Sequence, residues 1–216
     1  MQPPETTIRL GAGETAVVGY GSLLSEPSIS KTLKRAYTGP FLRCRVSGWR
    51  RSWDVSMPNQ AFYFERRGQR IYPAGVLYLN VRRAADTLMN CALFVLSESE
   101  LRAMNDREWI YQCVRVNDVL RGVRVTGGDA IMYVARPEHL AAPASSPQQA
   151  AVRASYLRIL ERTLADVEPS FRAEFDATTD PVPAHLVVDD LLDPSRPNPW
   201  AAAGHDYRPD LQLDVH

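Results

Sequence analysis

Lysine is nearly missing from this chain. Lys31 and Lys34 are the only two among 25 basic residues, which are balanced by 25 acidic ones. A chain with no basic excess lacks the electrostatic footprint of a nucleic-acid binder. The doublets Arg50-Arg51, Arg66-Arg67 and Arg82-Arg83 are expected at solvated strand and turn ends rather than in a phosphate patch. Cysteine is scarce as well. Cys44, Cys91 and Cys113 are odd in number and far apart, and two of them sit in apolar runs. That pattern suits free thiols in a reducing cytoplasm better than a disulfide framework. None has the spacing of a metal-ligand pair. No apolar stretch nears the roughly 20 residues of a membrane span. The opening "MQPPETTIRL" lacks a basic-then-apolar leader. Neither nucleic acid nor membrane is therefore expected as a partner, and no internal repeat is visible.

What is present is enough length for a real core. A chain of 216 residues suits one domain with an appendage. Residues 1–180 are expected to form the domain. Residues 181–216 are expected to add a short helix, "PAHLVVDDLL", and a proline-rich tail with Trp200 and Tyr207 as anchors.

Hydrophobic alternation and β-branched or aromatic enrichment mark about seven strands. They are "TAVVGY", a long "FLRCRVSGWRRSWDVS" bent at Gly48, "AFYFERR", "AGVLYLNV", "NCALFVL", "IYQCVRVNDVL" and "DAIMYVA". The polar run "RRAADTLMN" separates the fourth from the fifth. Three helices are expected besides the last one. A short helix falls between Ser25 and Arg35. A second opens on the capping box Ser97/Glu100 and puts Leu101 and Met104 on one face. A third starts at Ser146, with Gln149 completing a capping box and Pro147 at the first helical position. Its apolar face holds Val152, Tyr156, Ile159, Leu160, Thr163, Leu164 and Val167. Many strands and few helices, without strict alternation, indicate an α+β fold with a barrel-like or strongly curled sheet.

Several motifs fail on context. "GAGETA" at Gly11–Ala16 mimics a dinucleotide fingerprint, but that motif needs a strand before it and a helix after it, and here the strand follows. Ser22 lacks the flanking glycines of a nucleophile elbow. His139, His185, His205 and His216 fall in loop-like surroundings without metal spacing.

Two features survive. "VVGYGSLL", Val17–Leu24, breaks a buried strand with two glycines, the residue that lets backbone approach a ligand closely. "MNDREWIYQCVRV", Met104–Val116, places Glu108 at a helix-to-strand junction. The negative end of the helix dipole and the apolar neighbours Trp109 and Ile110 would favour its protonated form, as suits a general acid/base near neutral pH. A surface ion pair with an arginine is the competing reading of Glu108.

Taken in order, "VVGYGSLL", "VSGWRRSW", "CALFVLSESELRAMNDREWIYQCVRV" and "AIMYVA" resemble the gamma-glutamylcyclotransferase-like family. The likeness runs from about Val17 to about Val134 and lies nearest the glutathione-specific branch, through Leu23 and "GWRR". It implies a small mixed β-barrel of about six or seven strands flanked by a few helices. It implies an enzyme that cyclises a gamma-glutamyl amine or peptide to 5-oxoproline and frees the amine, with no cofactor and no metal. Glu108 matches the family's catalytic glutamate. Tyr20, Gly21, Ser22 and Leu23 match its substrate-binding loop, and Tyr111 the tyrosine that follows. "WIY" stands where the family usually has a glycine-rich turn. A non-catalytic small-molecule binder on the same fold and an interaction module using the tail are the alternatives. The oligomeric state is not legible.

Overall fold

The computed structural model describes residues 6–59, 61–165 and 167–196. The proline-rich tail, with Trp200, His205, Tyr207 and His216, lies outside the described residues. Strand β1 is Thr6–Arg9, and β2, Glu14–Gly19, is the "TAVVGY" strand. Between them Gly11 opens a tight connection and no helix follows it, so the dinucleotide reading fails on the missing helix rather than on a missing strand. Helix α1 is Glu26–Leu33. Strand β3 runs Phe41–Pro58, bent where Gly48 takes φ +80° and the pairing register shifts between Ser47 and Trp49.

Strands β4, Phe62–Arg66, and β5, Gln69–Ile71, form a hairpin. Strand β6 then runs unbroken over Gly75–Ser97. The two strands expected here are thus one. The polar stretch does not end the strand, because Arg82, Arg83 and Leu88 keep partners on β3 while their side chains are exposed.

Helix α2, Glu98–Arg107, begins as expected, with the Ser97 N–H donating to Glu100 Oε2 at 2.9 Å. Strands β7 (Tyr111–Arg115), β8 (Leu120–Arg121), β9 (Val123–Thr126) and β10 (Ala130–Ala135) follow.

The third expected helix starts eight residues late. Ala150–Arg153 is strand β11, and helix α3 spans Ala154–Ala165. Gln149 Oε1 accepts from the Ser145 N–H and closes a turn instead of capping a helix. The backbone of Ala150–Val152 pairs with Gly75–Leu77 of β6, and that ladder overrides the local helical signal. The apolar face from Tyr156 onward forms as expected, with Tyr156, Leu160 and Leu164 buried. Helix α4 is Pro169–Ala177. The expected last helix is a single 3-10 turn, Ala184–Leu186, leading into β12 (Val187–Val188) and β13 (Leu191–Leu192). Val187 and Val188 pair with β11, and Leu191 and Leu192 with β4, so the sheets take up backbone that an isolated helix would have satisfied internally.

Strand β6 organises the main sheet. It pairs antiparallel with β3 and β2, and parallel with β11. Beyond β2 comes β10 in parallel, then β7 antiparallel. The result is a curled, mixed sheet in an α+β domain. Its two faces show the period-two rule. Val18 and Leu93 point to a core shared with Tyr156, Leu160, Phe171 and Phe175 of α3 and α4. Val17 and Phe94 point to a second core with Ile29 of α1 and Met104 of α2. Burying a side chain such as Met104 contributes about 1.5–3 kcal/mol. No helix among the described residues is long and apolar enough to cross a membrane.

Candidate active site

Parallel pairing of β2 with β10, and antiparallel pairing of β10 with β7, brings the C-terminal end of β2 beside the start of β7. The two surviving sequence features therefore meet. After Gly19 the chain turns through Tyr20 and Gly21 into one 3-10 turn, Ser22–Leu24, closed by the Leu24 N–H on the Gly21 carbonyl at 2.9 Å. Gly19 is required by close packing. A Cβ there would lie 2.6 Å from both the Cβ and the carbonyl oxygen of Leu23. At Gly21 a Cβ would meet only ordinary contacts, Leu79 at 3.6 Å and the Tyr156 hydroxyl at 3.7 Å, so that glycine keeps space open. The leading N–H groups of such a turn have no partner within the turn itself.

Opposite this turn stands Glu108, the residue that ends α2. Its N–H donates to the Met104 carbonyl, and its own carbonyl accepts from the Tyr111 N–H at 2.8 Å, which fixes the helix-to-strand corner. The carboxylate is not a surface group, its side chain being 13 % exposed. Burial pushes Glu108 above the ordinary glutamate range, and the adjacent Arg107 guanidinium opposes that shift. The direction matches the sequence expectation. The cause is desolvation by the surrounding fold.

Tyr20, Tyr111, Tyr133 and Tyr156 surround the carboxylate. Each is pushed upward, first by burial and further by the negative charge of Glu108. Their hydroxyls stay protonated at neutral pH. Tyr111 Oη already donates to the Leu79 carbonyl at 2.8 Å, and Tyr133 Oη to Asn105 Oδ1 at 2.6 Å.

A small cavity of about 40 Å³ is lined by Tyr20, Gly21, Ser22, Leu23, Glu108 and Tyr111, so every sequence-chosen residue reaches one place. Ser22, Glu108, Tyr111 and Tyr156 also line a larger cavity of about 560 Å³. Its further walls are mostly apolar, including Leu24, Phe41, Met57, Ile110 and Ile159, with Arg43 and Arg162 among the polar residues.

No protein-family model matches the chain, and no curated protein matches its sequence. Solved structures do. A structure described as gamma-glutamyl cyclotransferase aligns with TM-score 0.50 at 12% identity, covering 79% of this chain and 90% of that one. This chain has the gamma-glutamyl cyclotransferase fold. An uncharacterized human protein aligns equally well, at TM-score 0.50 and 13% identity over 79% of this chain and 90% of its own. At these identities the likeness is one of gamma-glutamyl cyclotransferase architecture alone, and the site rests on its own geometry.

Two arginines of the site carry no local sequence signal. Arg51 belongs to a doublet expected at a solvated strand end, yet it is fully buried. Its acceptors explain why. Nε donates to the Tyr20 carbonyl at 2.6 Å, Nη1 to Thr178 Oγ1 at 2.8 Å, and Nη2 to the backbone carbonyl and side chain of Asn90. The guanidinium also lies 4.1 Å from the Phe175 ring centroid. Burial lowers its pKa to about 10, so it stays charged at neutral pH. The second is Arg107, which the sequence offered only as a flank of Glu108.

Proposed function

We propose that the chain is a gamma-glutamyl cyclotransferase acting on a gamma-glutamyl amine or peptide. The observation that supports this reading is the buried carboxylate of Glu108 facing the Gly21–Leu23 turn across one cavity. In the proposed reaction, the N–H groups at the head of the turn bind the substrate α-carboxylate. Glu108 accepts a proton from the α-ammonium. The freed amine attacks the γ-carbonyl carbon and a new C–N bond closes the five-membered ring. The old amide C–N bond breaks as the leaving nitrogen takes that proton back from Glu108, and the ring nitrogen's second proton passes through the same carboxylate to the released amine, which departs as an ammonium. Atoms and charge balance without a second reactant.

Magnitudes rank the contributions. Holding amine and carbonyl in a near-attack geometry is worth roughly 7–11 kcal/mol. A positioned base adds about 10²–10⁴-fold, and one oxyanion donor about 3–4 kcal/mol. Positioning dominates, so the rigid turn matters as much as the base. The small cavity lies at the proposed reacting centre, and the larger one has room for the leaving amine. The three cysteines are unbridged, which accords with a cytoplasmic enzyme.

The test is 5-oxoproline release across a panel of gamma-glutamyl amines, amino acids and glutathione. We expect release by the wild type from at least one compound. Glu108→Gln is expected to abolish it while calorimetry still detects binding. Binding of a panel member with no product from the wild type would favour the non-catalytic binder.

A further inference from the structure

Arg107 donates in four directions. Nε contacts Glu108 Oε1 at 2.8 Å. Nη2 donates to Ser22 Oγ at 2.7 Å. Nη1 donates to Thr32 Oγ1 at 2.8 Å, with longer bonds to the Ser28 carbonyl at 3.3 Å and Ser28 Oγ at 3.2 Å. The guanidinium therefore spans the general-base candidate, the substrate-binding turn and α1. Its side chain is 10 % exposed. Thr32 is 5 % exposed and its own hydroxyl donates to the Ser28 carbonyl at 3.1 Å, so the α1 end of the bridge is anchored.

We propose that Arg107 is a positioning residue that holds the Gly21–Leu24 turn in register with the Glu108 carboxylate, and that its charge keeps that buried carboxylate able to ionise. The proposal rests on the reading of Glu108 as the base. Three points of physics carry it. A rigid planar fork satisfies several acceptors at fixed angles, which an ammonium on a flexible stem does not. The bonds run to a charged donor, the strong class. An opposite charge in contact is the main force able to counter desolvation of a carboxylate. Among the described residues, the titratable groups interacting with Glu108 are Arg107 on α2, Tyr20 after β2, Tyr111 and Cys113 on β7, Tyr133 on β10 and Tyr156 on α3, while Glu26, Lys31, Arg43 and Arg162 line the same larger cavity. Of the interacting groups only Arg107 is cationic, and the others hold neutral forms.

Arg107→Lys and Arg107→Met separate the two roles. With the lysine variant, the acidic limb of the kcat/KM profile should stay near the wild-type position while its plateau falls by as much as about 100-fold, the cost of a small misplacement. With the methionine variant the plateau should fall likewise, and the acidic limb should move to higher pH. Thr32→Val tests the anchor at a distance. It removes one acceptor without entering either cavity, and KM should rise with the acidic limb unmoved. A lysine variant with wild-type kcat/KM would overturn the positioning role. An unmoved acidic limb in the methionine variant would overturn the electrostatic one.

NMR titration of the Glu108 carboxyl in the ligand-free protein gives a readout independent of activity. Its midpoint should rise in Arg107→Met and stay in place in Thr32→Val. If the wild type released no 5-oxoproline from any panel compound, the functional reading would fall, whereas an unchanged Glu108 midpoint in Arg107→Met would sink the Arg107 proposal by itself.

Discussion

Arg51 Nε reaches the carbonyl oxygen of Tyr20 at 2.6 Å, across 31 residues of sequence, from a position with no solvent exposure. The same side chain binds Asn90 of β6 and Thr178 just after α4. One buried cation thus fastens the start of the Tyr20–Leu24 turn to the central strand and the end of α4. Replacing it strands those acceptors, at about 1–3 kcal/mol for each left unpaired. Arg51→Met should lower the urea midpoint markedly. A midpoint within error of wild type would mean that the acceptors find other partners.

The pH dependence of stability tests the buried carboxylate. The pKa of Glu108 is raised in the folded state by burial. Its contribution to stability is therefore fully present below the unfolded-state value and is lost as pH rises through the folded-state value. Glu108→Gln removes that titration. The variant should be at least as stable as wild type at pH 7, with its advantage shrinking toward acid. Denaturation curves at both pH values decide the matter, and a variant markedly weaker at pH 7 would contradict the assigned direction.

The two glycines of the turn should respond differently. Gly19→Ala forces a Cβ to 2.6 Å from Leu23 backbone and side chain, so the turn must shift. Overpacking of this kind costs roughly 1–3 kcal/mol, and the thermal midpoint should fall. Gly21→Ala meets only ordinary contacts and should fold with nearly wild-type stability. Its methyl group narrows the cavity toward Tyr156 and should raise KM for a gamma-glutamyl substrate. Equal melting temperatures for the two variants would contradict the packing argument.

Ser22 is a positioning residue in the proposed function, not a nucleophile. Its hydroxyl oxygen accepts from Arg107. Ser22→Ala should keep measurable 5-oxoproline release with a raised KM, the lost bond to a charged donor being worth about 1.5–3 kcal/mol. Complete loss of release, together with covalent capture of wild-type Ser22 by a serine-directed reagent, would return it to the nucleophile's role.

Local signals were legible where local physics governs. Ser97 and Glu100 cap α2, Leu101 and Met104 give it one apolar face, and Glu108 falls at its end because the helix and β7 are both strong short-range patterns. The glycine-broken strand at Val17–Leu24 was readable for the same reason. The Ser146–Gln149 pattern misled, because a capping box scores only its own residues and β6 claims the backbone of Ala150–Val152. The tract Arg82–Asn90 misled for a related reason, since exposed polar side chains end a strand only when no neighbour pairs with its backbone.

Two local elements were written in the chain alone: a glycine turn after a buried strand, and a carboxylate at a helix end, the pair to which the proposed chemistry is assigned. Both follow from interactions within a few residues. Only the tertiary structure decided that Glu108 is buried among four tyrosines, and that Arg51 and Arg107 are internal struts rather than solvated charges. Their acceptors lie 31 to 127 residues away for Arg51 and, apart from the adjacent Glu108, 75 to 85 away for Arg107. A buried charge is tolerated only once those acceptors converge, and that convergence exists in the folded sheet and nowhere along the chain.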